Sequence, residues 1–319
     1  MTRALATPRP TFARRLSLWL MTAAMVLIIG LKSHGGPLPG VPWHYLGWPL
    51  VGASLALAWW RDGRGRGHGR LDEDAGRAVG TGTDMAGTDT VAPPDAESWA
   101  KTTVLLTWLI GVLYFTRIDG DTSDAHVLEL ILTLGVGILL LSALAARYWL
   151  KDKLDYSWVR GRWSLKMWLW FPLGFLLAYT FLYFYFHHWT PTLHHSWPLP
   201  LEGPRGGALW RLFWGCNFVG VWDELAFINF VFVLLARHFR FGEANLAQAF
   251  FFTSFLHEMA FVGWGPAVIF SFALVQGLTY QRTGSLLYII ILHLMIDSIL
   301  FYMIANRWYP GFGWHPWGA

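Results

Sequence analysis

Apolar residues occur along the chain in runs long enough to cross a bilayer, separated by short polar segments. A membrane-spanning helix needs about 20 mostly apolar residues. The nine runs that approach this length are residues 16–32, 43–60, 102–117, 125–147, 166–187, 208–236, 243–262, 264–281 and 285–305. The third run is short and the sixth is long, so we expect a tilt or a break in each. The pattern predicts an all-α polytopic membrane protein with about nine transmembrane helices.

One segment interrupts this pattern. Residues 61–101 are rich in Gly, Asp, Thr and Arg and contain almost no large apolar side chain up to residue 98. Such a segment buries too little surface to offset the entropy of ordering it, so we predict a disordered cytoplasmic linker. The expected organisation is a two-helix transmembrane hairpin at residues 1–60, this linker, and a seven-helix membrane domain at residues 102–319.

The composition agrees with burial in a membrane. Of the 319 residues, 55% are hydrophobic and 14% are charged, against about 25% charged in soluble proteins. A soluble globule of this size could not be covered with so few polar residues. The single cysteine, Cys216, excludes an internal disulfide framework and a zinc site built from several cysteines.

The basic residues predict the orientation of the chain. If the N-terminus is cytoplasmic, 19 of the 24 Lys and Arg residues lie on the inner side of the nine runs. We therefore expect an integral protein of the bacterial cytoplasmic membrane, with its C-terminus outside. This asymmetry explains the isoelectric point of about 9.2 without a nucleic-acid partner. No small-residue cleavage pattern follows the first run cleanly, so we expect that run to be a retained helix.

Ionisable residues inside apolar runs are costly and mark functional sites in membrane proteins. The candidates are Asp223, Glu224, His257, His293 and Asp297. At the rise of a helix, Glu224, His257, His293 and Asp297 lie about 16–22 Å from the inner boundary, on three separate runs. The spacing of His293 and Asp297 puts them on one helix face. Since unpaired charges are expensive at this depth, we expect these side chains to contact one another.

The chemistry of this set suggests hydrolysis. A carboxylate and a histidine on facing helices can act together as a general base on water, and a second histidine with a polar partner can stabilise an oxyanion. Two other interpretations remain open at this point. The same side chains could bind zinc or iron, or the acidic pair could be a structural element hydrogen-bonded within the helix bundle.

Three motifs in the later helices support the hydrolytic interpretation. The third motif is the fullest, with Gly277, then Arg282-Thr283-Gly284-Ser285-Leu286, then His293 and Asp297 in the pattern G-x-x-x-x-R-T-G-S-L…H-x-x-x-[ND]. Residues 222–228, Trp-Asp-Glu-Leu-Ala-Phe-Ile, are similar to E-E-L-x-F-R, and His257 occupies the place of the histidine in FxxxH. Over about residues 205–305 the sequence resembles the CPBP family, which comprises intramembrane CAAX-prenyl-endopeptidases and bacteriocin-processing proteases, often called Abi proteins.

The resemblance implies a peptidase that depends on glutamate and histidine and hydrolyses a peptide bond near the membrane. Asp223 or Glu224 with His257 would activate the water, and His293 with Asp297 would stabilise the oxyanion. The implied partners are a membrane peptide or protein substrate and the lipid bilayer, with other membrane subunits as further candidates and no cofactor assigned.

The sequence departs from the family motifs at three positions. Asp223 stands at the first acid of the paired motif, Ile228 at its arginine, and Thr253 at the phenylalanine of the second motif. An alternative function is therefore a catalytically degenerate membrane scaffold or partner-binding subunit. A metal- or haem-binding membrane protein that uses His257 and His293 is a third hypothesis.

Overall fold

The computed structural model contains nine long helices in the residues that it describes, and no strand there. It describes residues 10–33, 41–77, 97–121, 123–150, 163–188, 197–200, 205–259 and 261–312. The helices are α1 Phe12–Gly30, α2 Trp43–Arg77, α3 Glu97–Phe115, α4 Asp124–Tyr148, α5 Leu165–His188, α6 Arg205–Ala236, α7 Phe241–Glu258, α8 Gly265–Thr283 and α9 Leu286–Trp308. Each helix overlaps one predicted apolar run, which confirms the all-α class.

Five of these helices, α1, α4, α5, α6 and α9, are long and apolar enough to cross a membrane. Within α3, the stretch from Trp99 to Phe115 is a shorter apolar helix. The apolar side chains that α4 and α5 expose, such as Leu132 and Leu176, are suited to contact with lipid. The protein is therefore an integral membrane protein, as the apolar runs predict.

The long sixth run forms one continuous helix whose winding changes partway along. The chain is α-helical from Arg205 to Asp223 and π-helical from Glu224 to Phe232. The predicted break is thus a change of helical pitch, and it begins at the acidic pair. Widened π turns occur frequently at functional sites because they alter the directions of neighbouring side chains.

The turn between α8 and α9 is set by two residues of the third motif. Gly284 adopts a left-handed conformation with φ of 61° at the end of α8, a position that favours glycine. Its N–H donates to the carbonyl of Tyr280 over 2.8 Å. The Ser285 side chain then accepts from the N–H of Tyr288 and caps α9. This turn fixes the register in which the two antiparallel helices pair.

Contacts between helix ends show that α1 and α7 run in the same direction. At one end of the bundle, Ser33 beyond α1 donates through its N–H (3.0 Å) and its hydroxyl to the Glu258 carboxylate at the end of α7. At the opposite end, Arg15 of α1 pairs with Glu243 at the start of α7, at 2.7 Å. These contacts join ends that the predicted alternation puts on the same side of the membrane.

The N-terminal helices pack directly on the later ones. α1 lies against α2 and α7, and a Cβ at Gly30 would stand 3.4 Å from the Ser254 side chain, which is ordinary contact. The backbone of α2 continues as helix to Arg77, although its composition predicts disorder from residue 61. Adding turns to an existing helix avoids the cost of nucleation, which explains how a polar sequence extends an apolar one. Residues 78–96 of the predicted linker lie outside the described residues.

The loop between α6 and α7 contains a histidine buried among helix ends. His238 is 7% exposed, its Nε2 lies 3.2 Å from the Thr102 hydroxyl, and its ring meets that of Trp99 at 5.2 Å. Burial, together with the charges of Arg14 and Arg237, lowers the pKa of His238 to about 3. The side chain is therefore neutral in the folded protein at physiological pH.

Acid should destabilise the protein through this residue. An unfolded histidine takes up a proton near pH 6.5 and the folded one only near pH 3, so stability is complete above pH 6.5 and falls as the pH drops towards 3. The loss is at most about 1.4 kcal/mol per pH unit. We expect the unfolding midpoint in detergent to fall more steeply between pH 6.5 and 4.5 for the native protein than for His238→Phe. Equal slopes for the two proteins would contradict the prediction.

Candidate active site

Four of the five predicted site residues converge between α6 and α9. Asp223, Glu224, His293 and Asp297 are 1%, 0%, 4% and 6% exposed. His293 Nδ1 lies 2.7 Å from Glu224 Oε1, and its Nε2 lies 3.9 Å from Asp223 Oδ2 and 3.7 Å from Asp297 Oδ1. One imidazole thus lies among three carboxyl groups.

The two ring nitrogens of His293 have different surroundings. Nδ1 is within direct hydrogen-bonding distance of Glu224, whereas the Nε2 distances to Asp223 and Asp297 exceed that of a direct hydrogen bond. An ionised carboxylate only accepts, so Nδ1 carries the proton that it donates to Glu224, and the tautomer is assigned from this partner. In the neutral imidazole, Nε2 is then the basic nitrogen.

A fifth polar side chain, Gln276 of α8, joins this group. Its Nε2 donates to Glu224 Oε1 over 2.6 Å, and the residue is 3% exposed. A search for ionisable residues in apolar runs does not identify Gln276, because an amide does not titrate. An amide seven residues from the end of an apolar helix, at a depth close to that of His293 in α9, is the signal that could have identified it.

The sixth helix approaches the ninth closely at a glycine. A Cβ at Gly220 would overlap Asp297 Oδ2 and would come within 3.4 Å of His293 Cδ2. No larger residue therefore fits at this position without displacing the site. Gly220 lies three residues before the acidic pair. Because glycine carries no ionisable group, a search for charged residues does not identify its contribution to the site.

His257 lies elsewhere. The sequence predicts contact with the acidic residues near the middle of the membrane, but the ring lies at the end of α7, where Nδ1 is 3.1 Å from the carbonyl of Phe261. The hydrogen-bond partners of the Glu224 side chain among the described residues are Gln276 and His293. The expected direct contact is therefore wrong. Helix α7 has only 18 residues, so a residue about 22 Å from its start lies almost at its far end.

A cavity of about 980 Å³ leads to the cluster. It lies between α4, α5, α6, α8 and α9, and its walls consist mainly of Leu, Ile, Phe and Trp side chains. The polar groups that reach it at depth include Asp223, Gln276, His293 and Asp297. Glu224 lies behind His293, outside the lining. The site is thus the polar end of an apolar cavity. Nε2 is the His293 nitrogen nearer to Asp223 and Asp297, which line the cavity, whereas Nδ1 meets Glu224, which does not.

One part of the cavity lining is charged. Arg117 at the end of α3 pairs with Asp119 and with Asp121, each at 2.6 Å, and both aspartates line the cavity. The N–H of Ser123 and the guanidinium of Arg117 lower the pKa of Asp121. The hydrogen bond to Asp119, with that to Asp121, raises the pKa of Arg117. Arg117 and Asp121 therefore stay ionised over the physiological range of pH.

Among the described residues, no group of three or more His, Cys, Asp and Glu side chains has a geometry that could hold a metal ion.

The close approach at Gly220 can be tested by a single methyl group. We expect Gly220→Ala to lower the stability by about 1–3 kcal/mol, as overpacking does, because Cβ would displace Asp297. Gly207→Ala, on the same helix with nothing within 4 Å of its Cβ, is the matched control, and alanine there favours the helix. Equal unfolding midpoints of the two variants in detergent would show that Asp297 moves aside without cost.

The comparisons with known proteins address the same part of the chain. Residues 205–299 match the family model described as type II CAAX prenyl endopeptidase Rce1-like. No curated protein and no solved structure matches the chain significantly. The matched residues include α6, α7, α8 and most of α9, and thus the whole carboxylate and histidine cluster. This segment of the chain is therefore Rce1-like, and the resemblance to the CPBP family is confirmed for it.

Proposed function

We propose that the protein is an intramembrane peptidase that hydrolyses a peptide bond with water activated by His293. The observation that carries the proposal is that His293 Nε2 lies 3.9 Å from Asp223 and 3.7 Å from Asp297, and that all three residues line the cavity. The Rce1-like segment supports the same class of activity. A buried imidazole held by a carboxylate is a suitable general base.

Each side chain has a role in this mechanism. Glu224 holds Nδ1–H of His293 and stabilises the imidazolium that forms when Nε2 takes a proton from water. The water oxygen bonds to the carbonyl carbon of the substrate, and the imidazolium then gives its proton to the departing amine nitrogen as the C–N bond breaks. Asp223 and Asp297, whose carboxyl oxygens lie 3.9 Å and 3.7 Å from Nε2, hold the water in position.

This assignment differs from the one that the family resemblance implies. There, Asp223 or Glu224 with His257 would activate the water, and His293 with Asp297 would stabilise the oxyanion. The hydrogen bond from His257 Nδ1 to Phe261 favours His293 as the base.

The cavity supports a substrate that has an apolar part. Its walls are formed by side chains such as Leu134, Leu177 and Trp214, and each buried CH₂ group contributes about 0.8 kcal/mol. The name of the matched family refers to prenylated peptides that end in a CAAX sequence. We infer that the substrate is a membrane-associated peptide or protein whose lipid or apolar segment occupies the cavity.

A second candidate function is a scaffold or partner-binding subunit with the same fold. The observation that favours it is Ile228, which is fully buried at the position where the family motif has arginine. For either function we infer a cytoplasmic N-terminus and an external C-terminus, on the strength of the distribution of basic residues.

The peptidase proposal can be tested on the full-length protein in liposomes with a farnesylated CAAX peptide as the probe. We expect His293→Gln to lower kcat/KM by about 100-fold or more, since general base catalysis contributes 10²–10⁴-fold. His44→Gln, a change of the same type in a half-buried residue outside the site, should stay within twofold. Equal unfolding midpoints exclude a folding defect.

His257→Gln distinguishes the two assignments of roles. A loss below tenfold supports His293 as the base, whereas a loss equal to that of His293→Gln supports the roles implied by the resemblance. Cleavage that persists in His293→Gln would sink the peptidase mechanism. A native protein that cleaves no lipidated or unmodified peptide favours the scaffold.

A further inference from the structure

Glu224 receives two hydrogen bonds on a single oxygen. Gln276 Nε2 donates to Oε1 over 2.6 Å from α8, and His293 Nδ1 lies 2.7 Å from the same atom on α9. All three residues are at most 4% exposed. The carboxylate that orients the histidine is thus itself fixed by a neutral amide from a third helix.

On the helix that carries Glu224, the residue four positions later cannot supply such a donor. Ile228, four residues later, is apolar and 0% exposed, and it lies in the hydrophobic core. A buried carboxylate without hydrogen bonds is costly, and the amide donor to Glu224 comes from another helix. We propose that Gln276 is a positioning residue, whose amide holds Glu224 in the orientation that aligns His293. This inference rests on the proposed function.

The side-chain amide of Gln276 carries no net charge, and this affects how Glu224 acts on His293. A cation at this position would neutralise Glu224 and compete with His293 for it. An amide donates a hydrogen bond and leaves the negative charge in place, so the charge is available to the imidazolium that forms during catalysis. Gln276 therefore orients Glu224 without weakening its electrostatic effect on His293.

The surroundings of Gln276 hold it at a fixed position. Asn245 of α7 donates through Nδ2 to the carbonyl of Leu274 over 3.0 Å. A Cβ at Gly277 would overlap the Asn245 side-chain oxygen, so glycine lets α8 approach α7 closely beside Gln276. On the other side, the turn at Gly284 and Ser285 sets the register between α8 and α9. Gln276 and His293 consequently face Glu224 from two helices joined by one tight turn.

The test is Gln276→Met, which keeps the length of the side chain but removes the donor. With the farnesylated CAAX peptide we expect kcat to fall about 10–100-fold with KM within twofold, and the acid limb of the pH profile to shift. The matched control is Gln248→Met, the same change at a fully buried glutamine of α7 that makes no hydrogen bond to Glu224. Gln276→Asn, which keeps a shorter amide, should have an intermediate kcat, and it replaces Gln276→Met if that variant does not fold.

A second readout does not depend on activity. In protein labelled with ¹⁵N-histidine, the Nδ1 and Nε2 signals of His293, assigned by their loss in His293→Gln, should shift and titrate differently in Gln276→Met but not in Gln248→Met. The native protein could lack peptidase activity while the His293 signals still shift in Gln276→Met. That result would support the positioning role and refute the proposed function. Unchanged signals together with an unchanged pH profile in Gln276→Met would overturn the positioning role.

Discussion

The contact between Glu224 and His293 is the constraint on which the later half of the structure depends. A carboxylate and an imidazole buried in the membrane each cost free energy unless they are paired, and at 2.7 Å each compensates for the other. To make that contact, α9 has to approach α6 closely, which Gly220 allows because a side chain there would occupy the place of Asp297. The α-to-π transition begins at Glu224 itself. The geometry of this part of the bundle therefore follows from the need to pair its few polar groups.

Elements on either side preserve this arrangement. The turn at Gly284 and Ser285 fixes α8 relative to α9, so that Gln276 meets Glu224 on the same oxygen as His293. The N-terminal helices act on α7, where Ser33 binds Glu258 at one end and Arg15 binds Glu243 at the other. These helices lie outside the Rce1-like segment, yet they contact the helix that carries His257. The segment that matches the family is thus packed against helices that the match does not include.

The sequence predicts the helices well and the site in part, for physical reasons that differ between residues. Spans are predictable because a bilayer requires long apolar runs, and Asp223, Glu224, His293 and Asp297 are identified because charge is rare inside such runs. Depth alone misplaces His257, because contact also depends on where α7 ends and which way its last turn faces. Gln276 is overlooked because an amide does not titrate, although it binds a carboxylate as directly as an ionisable group does. The helix beyond residue 60 is missed because composition does not report extension from an existing helix.

Two departures from the family motifs are interpreted differently once the contacts of the neighbouring helices are known. Ile228 in place of an arginine removes a donor from α6, but Gln276 of α8 donates to Glu224 at 2.6 Å. Asp223 is one methylene shorter than glutamate, and its Oδ2 lies 3.9 Å from His293 Nε2, a separation that a single bridging water can span. A bound water between the two groups is what the proposed hydrolysis requires at that position. The hydrogen bonds of the Glu224 side chain among the described residues therefore come from α8 and α9, and the polar contacts of the site depend on the packing of three helices more than on the motif of α6 alone.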